Sequence, residues 1–262
     1  MPKPSLSELF DLTGRVALVT GGGRGLGEQM AHGLAQAGAA VAVASRKLDA
    51  CEAVAAGLRA AYGTHAFALR MDVASEDDVR AGFDAVEREL GPADLLVNNS
   101  GIAWGAPAAM HPLEEWTRVM AVNATGVFLC SRELAQRLIR RGAPGAILNV
   151  ASIAGLKGAQ AEVLDAIGYS ASKGAVVAMT KDLAVKWARH GIRVNAVAPG
   201  FFPTRMTEGV LAHAEKALAR TIPLGRVGTD AELMGAAVFL LSPAASYVTG
   251  QVLAVDGGMM AA

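Results

Sequence analysis

Short apolar runs and longer segments of helical period alternate along the chain. Seven runs are apolar at successive positions: Arg15–Thr20, Ala40–Ala44, Ala66–Met71, Leu95–Asn98, Ala146–Val150, Arg193–Ala198 and Val252–Val255. Strands that are apolar on both faces belong in a parallel sheet covered by helices on each side. Between the runs, helical spacing marks Gly25–Ala37, Lys47–Ala61, Glu76–Leu90, Pro112–Arg140, Gly168–Arg189 and Asp230–Leu241. Ser75 ahead of Glu76, Asp77 and Asp78 offers an N-cap and places acids at the positive end of a helix dipole. Gly38, Gly63, Gly91, Gly142 and Gly191 are stop signals. The alternation predicts an α/β fold, doubly wound, with right-handed crossovers. No linker, repeat or low-complexity stretch interrupts it, so residues 1–262 are expected to form one domain. The longest interval without a predicted strand, Gly200 to Val252, carries a polar helical stretch, Glu208–Arg220. An insertion at the carboxyl edge of a parallel sheet is where a substrate lid is expected, here about residues 200–225.

Composition narrows the function. Twenty-four basic and 24 acidic side chains cancel, and 52% of residues are apolar against 18% charged. That excludes a disordered chain and argues against a nucleic-acid partner, which calls for a basic surplus. The two cysteines, Cys51 and Cys130, have no disulfide or metal-ligand spacing. They are expected to be reduced, with no metal bound. The N-terminus lacks a secretory pattern, and no stretch reaches the length of a bilayer span. A cytoplasmic protein without a membrane partner is expected.

The first predicted strand runs into Thr20-Gly21-Gly22-Gly23-Arg24-Gly25-Leu26-Gly27 and then a helix. Glycines let the backbone turn tightly and approach a pyrophosphate, and the helix offers free N–H groups and a positive dipole end. The glycine spacing, together with Asp72-Val73, Asn98-Asn99-Ser100-Gly101, Asn123, Ser152, Tyr169-x-x-x-Lys173 and Pro199-Gly200-x-x-x-Thr204, resembles the short-chain dehydrogenase/reductase family over nearly the whole chain. Within that family the chain is similar to 3-oxoacyl-carrier-protein reductases and to gluconate 5-dehydrogenase-like members. The resemblance implies a Rossmann-like fold with strand order 3-2-1-4-5-6-7, a nicotinamide cofactor, a small carbonyl or secondary-alcohol substrate, and a homotetramer. In the family the two long helices form a subunit interface and a C-terminal segment, here Gly257–Ala262, forms another. Apolar faces on those helices, Val119, Val122, Val127, Leu134 and Leu138 on one and Val176, Val177, Leu183 and Trp187 on the other, fit that use.

The end of the second strand discriminates the cofactor. An NAD site places a carboxylate there, whereas this chain reads Ser45-Arg46. A hydroxyl and a guanidinium fork suit a 2′-phosphate, and Arg24 in the glycine turn is a second cation, so NADP(H) is expected. Asp49 falls inside the following helix and is discounted. By the resemblance, Asp72 and Val73 contact adenine, Asn99 and Gly101 line the cofactor, and Pro199, Gly200, Phe202 and Thr204 meet its nicotinamide end, with Gly21, Gly25, Leu26 and Gly27 on the phosphates.

Tyr169 and Lys173 are one helical turn apart, on the same face. An ammonium beside a phenol is expected to lower its pKa toward working pH, as a general acid or base requires. Ser152 is expected to hold the substrate oxygen, and Asn123, by the resemblance, to organise a water-linked relay to the lysine. A non-catalytic dinucleotide sensor on the same fold would be expected to lose Tyr169 or Lys173, and a scaffold would not need the polar set. The 16 residues between Ser152 and Tyr169 exceed the usual family length. This loop, Leu156–Ile167, should reshape one wall of the substrate site, with Lys157, Glu162 and Asp165 solvated or between subunits. Trp104, Ile153 and Phe201 are further candidates for substrate contact.

Overall fold

A computed structural model of the chain describes residues 3–205, 207–208 and 218–262. Seven strands form one parallel sheet in the order β3-β2-β1-β4-β5-β6-β7. They are β1 (Val16–Thr20), β2 (Ala40–Ser45), β3 (Ala66–Arg70), β4 (Leu95–Asn98), β5 (Gly145–Val150), β6 (Ile192–Pro199) and β7 (Val252–Val255). Each coincides with a run expected from the sequence to within one residue at either end. The helices are α1 (Leu6–Phe10), α2 (Gly25–Gln36), α3 (Leu48–Tyr62), α4 (Glu76–Leu90), α5 (Leu113–Met120), α6 (Gly126–Arg141), α7 (Ile167–Trp187) and α8 (Met234–Leu241).

Strand residues alternate between two cores. Ala17 and Val19 of β1, Val41 and Val43 of β2 and Leu95 and Val97 of β4 pack with Met30, Leu34, Leu58 and Leu240 from α2, α3 and α8. Their neighbours Leu18, Ala42 and Leu96 pack on the opposite face with Phe83, Leu134, Leu138 and Leu183 from α4, α6 and α7. This double burial is why the strands read as continuous apolar runs rather than alternating ones. Val119, Val127, Leu134, Leu138, Val176 and Leu183, from the helices expected to face another subunit, are buried within the chain. Exposed apolar side chains remain on the same two helices at Phe128, Ile139 and Val185.

Three expectations need correction. The helix Pro112–Arg140 is interrupted by a wider π turn at Ala121–Thr125, with Asn123 at its centre. The interval Asp230–Leu241 is helical only from Met234. α1 was not foreseen: it is a five-residue helix held by a capping box in which Ser5 Oγ accepts from Glu8 N and Ser5 N donates to Glu8 Oε2. The middle of the expected Glu208–Arg220 helix, and with it much of the anticipated lid, lies outside the described residues. No described helix is long and apolar enough to cross a membrane.

Candidate active site

The carboxyl ends of the strands open onto a cleft of about 930 Å³. At one end, β1 turns through the glycine segment into α2. Arg24 occupies the N-cap position of α2 without a side-chain cap bond, which leaves leading N–H groups for an anion. The turn is closed from below by a contact only glycine permits. A β-carbon on Gly27 would stand 2.4 Å from the Gly21 carbonyl oxygen and 2.4 Å from Asn99 Nδ2. Asn99 locks the turn from the β4 side, with Nδ2 donating to the Gly21 carbonyl at 2.9 Å, while its backbone N–H donates to Thr20 Oγ1 at 3.1 Å. Asn98 points the other way, donating to Ser131 Oγ and Asn149 Oδ1, each at 2.9 Å, and so ties β4 to β5 and α6.

Gly21, Arg24, Gly25, Leu26, Ser45, Arg46, Asp72, Val73, Asn99, Gly101, Pro199, Gly200, Phe202 and Thr204 all line this cleft, together with Ser152, Tyr169 and Lys173. Gly27 lies beneath it. Besides Lys173, the cationic lining residues are Arg24, Arg46, Lys47 and Arg205, and Asp72 is the acidic one. Arg24 and Arg46 are exposed, and among the described residues neither forms an ion pair. The Ser45 hydroxyl is already engaged: it accepts from Lys47 N at 3.1 Å and Cys51 Sγ at 3.1 Å and donates to the Lys47 carbonyl at 3.0 Å. It therefore shapes the turn, and the guanidinium groups are the unengaged donors. These residues fit a dinucleotide carrying an extra phosphate better than one carrying a free ribose 2′-hydroxyl, because no carboxylate ends β2.

At the other end, Lys173 is buried and donates from Nζ to the Val150 carbonyl at 2.6 Å. Burial pulls its pKa from 10.5 down to about 8. Lys173 Nζ lies 5.7 Å from the centre of the Tyr169 ring. The expected lowering of the phenol is not seen. Withdrawal of the hydroxyl from water pushes the Tyr169 pKa up, and a hydrogen bond with Ser152 opposes this only in part. The ammonium is turned toward Val150 rather than toward the phenol oxygen. Ser152 caps a 3-10 turn, its Oγ accepting from Ala154 N at 3.2 Å.

Asn123, fully buried in the π turn, clamps the β4 loop. Its Oδ1 accepts from Ile102 N at 2.8 Å, and its Nδ2 donates to the Ile102 carbonyl at 2.8 Å and to Ser172 Oγ at 3.0 Å. Extra-wide turns of this kind concentrate at functional sites. A β-carbon on Gly101 would sit 3.5 Å from Asn123 Oδ1 and 3.7 Å from Lys173 Nζ, so a larger side chain there would fill the space between them.

Some groups were not legible in advance. Gly155 is one: an added β-carbon would meet the Lys173 carbonyl carbon at 2.5 Å and Gly174 N at 2.8 Å. The turn after Ser152 thus packs directly on the backbone of α7 beneath Lys173. Lys47 and Arg205, each beside a motif residue, join the lining as well. Trp104, Ile153 and Phe201 do not line the cleft. Ile153 is buried, and the exposed Trp104 ring has the Arg118 guanidinium 5.8 Å from its centre. Lys157 is exposed and also donates to the chain's own Met259 carbonyl at 2.8 Å.

A family model described as enoyl-(acyl carrier protein) reductase matches residues 21–260. The chain is 41% identical to gluconate 5-dehydrogenase of Gluconobacter oxydans over 256 residues, 96% of this chain and 97% of that protein. It is 39% identical to the rhamnolipids biosynthesis 3-oxoacyl-[acyl-carrier-protein] reductase of Pseudomonas aeruginosa, over 95% of this chain and 97% of that one. Among solved structures, a gluconate 5-dehydrogenase from Burkholderia cenocepacia in complex with NADP and tartrate superposes with a TM-score of 0.92 at 39% identity, covering 98% of this chain and 100% of that one. The chain belongs to the short-chain dehydrogenase/reductase family.

Proposed function

We propose that the protein is an NADP(H)-dependent oxidoreductase that interconverts a ketone and a secondary alcohol, with Tyr169 as general acid and base. The observation that carries the reading is one cleft with two chemically distinct ends, an uncapped helix N-terminus ringed by Arg24, Arg46, Lys47 and Arg205, and a Ser152, Tyr169, Lys173 cluster. The relatives' names, which span sugar-acid dehydrogenases and 3-oxoacyl reductases, support the same reaction class.

The bound nicotinamide supplies or accepts the hydride. The chain's own residues handle the oxygen. In reduction, hydride reaches the carbonyl carbon, the C=O π pair moves to oxygen, and that oxygen takes the Tyr169 proton. Ser152 donates a hydrogen bond to the same oxygen as its charge grows, the stage at which such a bond stabilises most. A phenol pKa held up by its surroundings keeps Tyr169 protonated at neutral pH, the form that reduction needs. Lys173, with a pKa of about 8, is poised to return a proton from solvent through the space between it and Asn123. Arg24 and Arg46 hold the 2′-phosphate, and the N-terminus of α2 holds the pyrophosphate.

The testing experiment follows cofactor absorbance with NADPH and NADH across a panel of ketones. Turnover that prefers NADPH is the expected result. Cofactor binding without turnover of any carbonyl would favour a dinucleotide sensor. We also propose a homotetramer, supported by the exposed Phe128, Ile139 and Val185 on helices that bury Val127, Leu134, Leu138, Val176 and Leu183 within the chain. Light scattering should give about four times 26.9 kDa; the mass of one chain would refute the assembly.

A further inference from the structure

We infer that Asn149 and Thr180 are positioning residues for the reaction, holding α7 in the one register that brings Tyr169 and Ser152 to the same point. The inference rests on the oxidoreductase reading and deepens it. A chain of side-chain hydrogen bonds crosses four elements beneath the cleft. Asn98 Nδ2 of β4 donates to Ser131 Oγ of α6 and to Asn149 Oδ1 of β5, each at 2.9 Å. Asn149 Nδ2 donates to Thr180 Oγ1 of α7 at 3.0 Å, and Thr180 Oγ1 donates in turn to the Val176 carbonyl at 2.8 Å. All four residues are at most 2% exposed. The Thr180 hydroxyl has one proton, and Val176 takes it, so toward Asn149 it can only accept. Turning the Asn149 amide over would set donor against donor at Asn98. The chain therefore has one direction.

Its place in the fold connects it to the reacting groups. Asn98 and Asn149 are register partners on neighbouring strands. Each directly precedes a working residue: Asn99 bonds the Gly21 carbonyl, and the Val150 carbonyl takes Lys173 Nζ at 2.6 Å, two residues ahead of Ser152. On α7, Tyr169, Lys173, Val176 and Thr180 are spaced by four, three and four residues, so they form one stripe. That stripe is bonded to β5 at two heights. The Lys173 bond alone leaves α7 free to pivot about it, and the Thr180 bond, two turns further on, removes that freedom. Apolar contacts of α7, such as those of Val176 and Leu183, are not directional and hold neighbouring registers nearly as well. A buried polar chain adds little net stability over apolar groups of the same shape; what it supplies is a unique arrangement. Thr180→Val keeps the shape and leaves Asn149 Nδ2 without a partner in a dry core, so the second attachment is lost.

The experiment follows NADPH oxidation by the whole protein with ethyl acetoacetate, cyclohexanone and 5-keto-D-gluconate, and carries the variants forward on the ketone that the unmodified protein turns over fastest. Thr180→Val should lower kcat by about tenfold or more, the scale that small misplacements of reacting groups cost, with KM for the ketone and the NADPH dissociation constant little changed. Thr180→Ser, which keeps the hydroxyl, should restore most of the rate. Leu183→Ala, which loosens α7 without touching the chain, should lower the thermal midpoint and leave kcat near native. If Thr180→Val does not fold, Thr180→Cys makes the same test, because a thiol accepts only weakly. An undiminished kcat on loss of the hydroxyl, a loss that serine does not restore, or an equal loss in Leu183→Ala would each overturn the inference and leave the oxidoreductase reading intact. No turnover of any of the ketones by the unmodified protein would overturn both.

Discussion

The cofactor end and the substrate end of the cleft are built by different means. Around the glycine turn, backbone meets backbone: Gly27 leaves 2.4 Å between a would-be β-carbon and the Gly21 carbonyl oxygen, and Asn99 bonds that same carbonyl. The second end combines a similarly tight core with long loops that flank it in the chain, after β4 and after the Ser152 turn. Its core is rigid where Gly155 packs on α7 and Asn123 clamps Ile102. The loops 102–112 and 156–167 are joined by the bond from Ala106 N to the Asp165 carbonyl and expose apolar side chains such as Trp104, Met110 and Val163. Backbone contacts hold one geometry, suited to a ligand shared across a family. Side chains on loops can be exchanged at little cost to the fold, suited to a substrate that differs between members.

The largest expected effects separate binding from chemistry. Tyr169→Phe keeps the ring and removes the proton donor, so turnover should fall by about 100- to 10,000-fold while the affinity for NADPH, read by fluorescence titration, stays near that of the unmodified chain. Gly27→Ala should do the reverse, abolishing NADPH binding, because the Gly21 backbone carbonyl, together with the Asn99 amide bonded to it, blocks the added carbon. A Tyr169→Phe variant with native rates would end the proposed mechanism.

Gly155→Ala probes the core of the second end. The added carbon must push the Ser152 turn away from α7, since its nearest neighbours are the Lys173 carbonyl carbon and Gly174 N. Turnover should drop by about tenfold or more, on the scale that small misplacements of reacting groups cost, with the NADPH dissociation constant little changed. Equal losses in binding and turnover would mean that the two ends are not mechanically separate.

Much of this was legible in the sequence, and the illegible parts share a cause. The sheet could be read because double burial writes itself as apolar runs, and the glycine turn because its spacing is local. The π turn at Asn123 could not: residues on either side stay helical, so the apolar period carries no sign of one widened turn. Gly155 looks like any turn glycine until α7 is seen above it. The direction of the Tyr169 pKa was misjudged because spacing placed the ammonium one turn away but could not show that it is bonded to Val150, a backbone carbonyl 23 residues back. Lys157 is exposed as its position suggests, but its bond to the Met259 carbonyl, 102 residues away, could not be read. Partners supplied by distant backbone leave no trace in a residue pattern.

Smaller effects are expected at the cationic rim, where the groups are exposed. Arg46→Ala should raise KM for NADPH by about tenfold or more and leave NADH almost unaffected, as a charge-assisted bond to phosphate is worth about 1.5–3 kcal/mol. Arg24→Ala should act in the same direction. The preference should also weaken as salt is raised, because exposed charges are screened. Equal use of NADPH and NADH by the unmodified protein would contradict the reading of Ser45-Arg46.

Lys173 ties stability and activity to pH in opposite directions. Burial disfavours the ammonium, so its pKa in the fold, about 8, lies below the ordinary 10.5. Between those values the unfolded chain holds the proton and the folded chain does not. Stability therefore carries the full cost of burying the charge below about pH 8 and recovers as pH rises toward 10.5. Lys173→Met lacks this group, so the difference in thermal midpoint between the two proteins should change in favour of the unmodified chain over that interval. Activity should move the other way. Ketone reduction needs the Tyr169 proton and its resupply, so kcat should be level through neutral pH and decline as Lys173 loses its proton above about 8. A rate that stays level well past that point, in a chain whose stability does rise there, would show that Lys173 titrates but resupplies no proton, and would confine its part to binding.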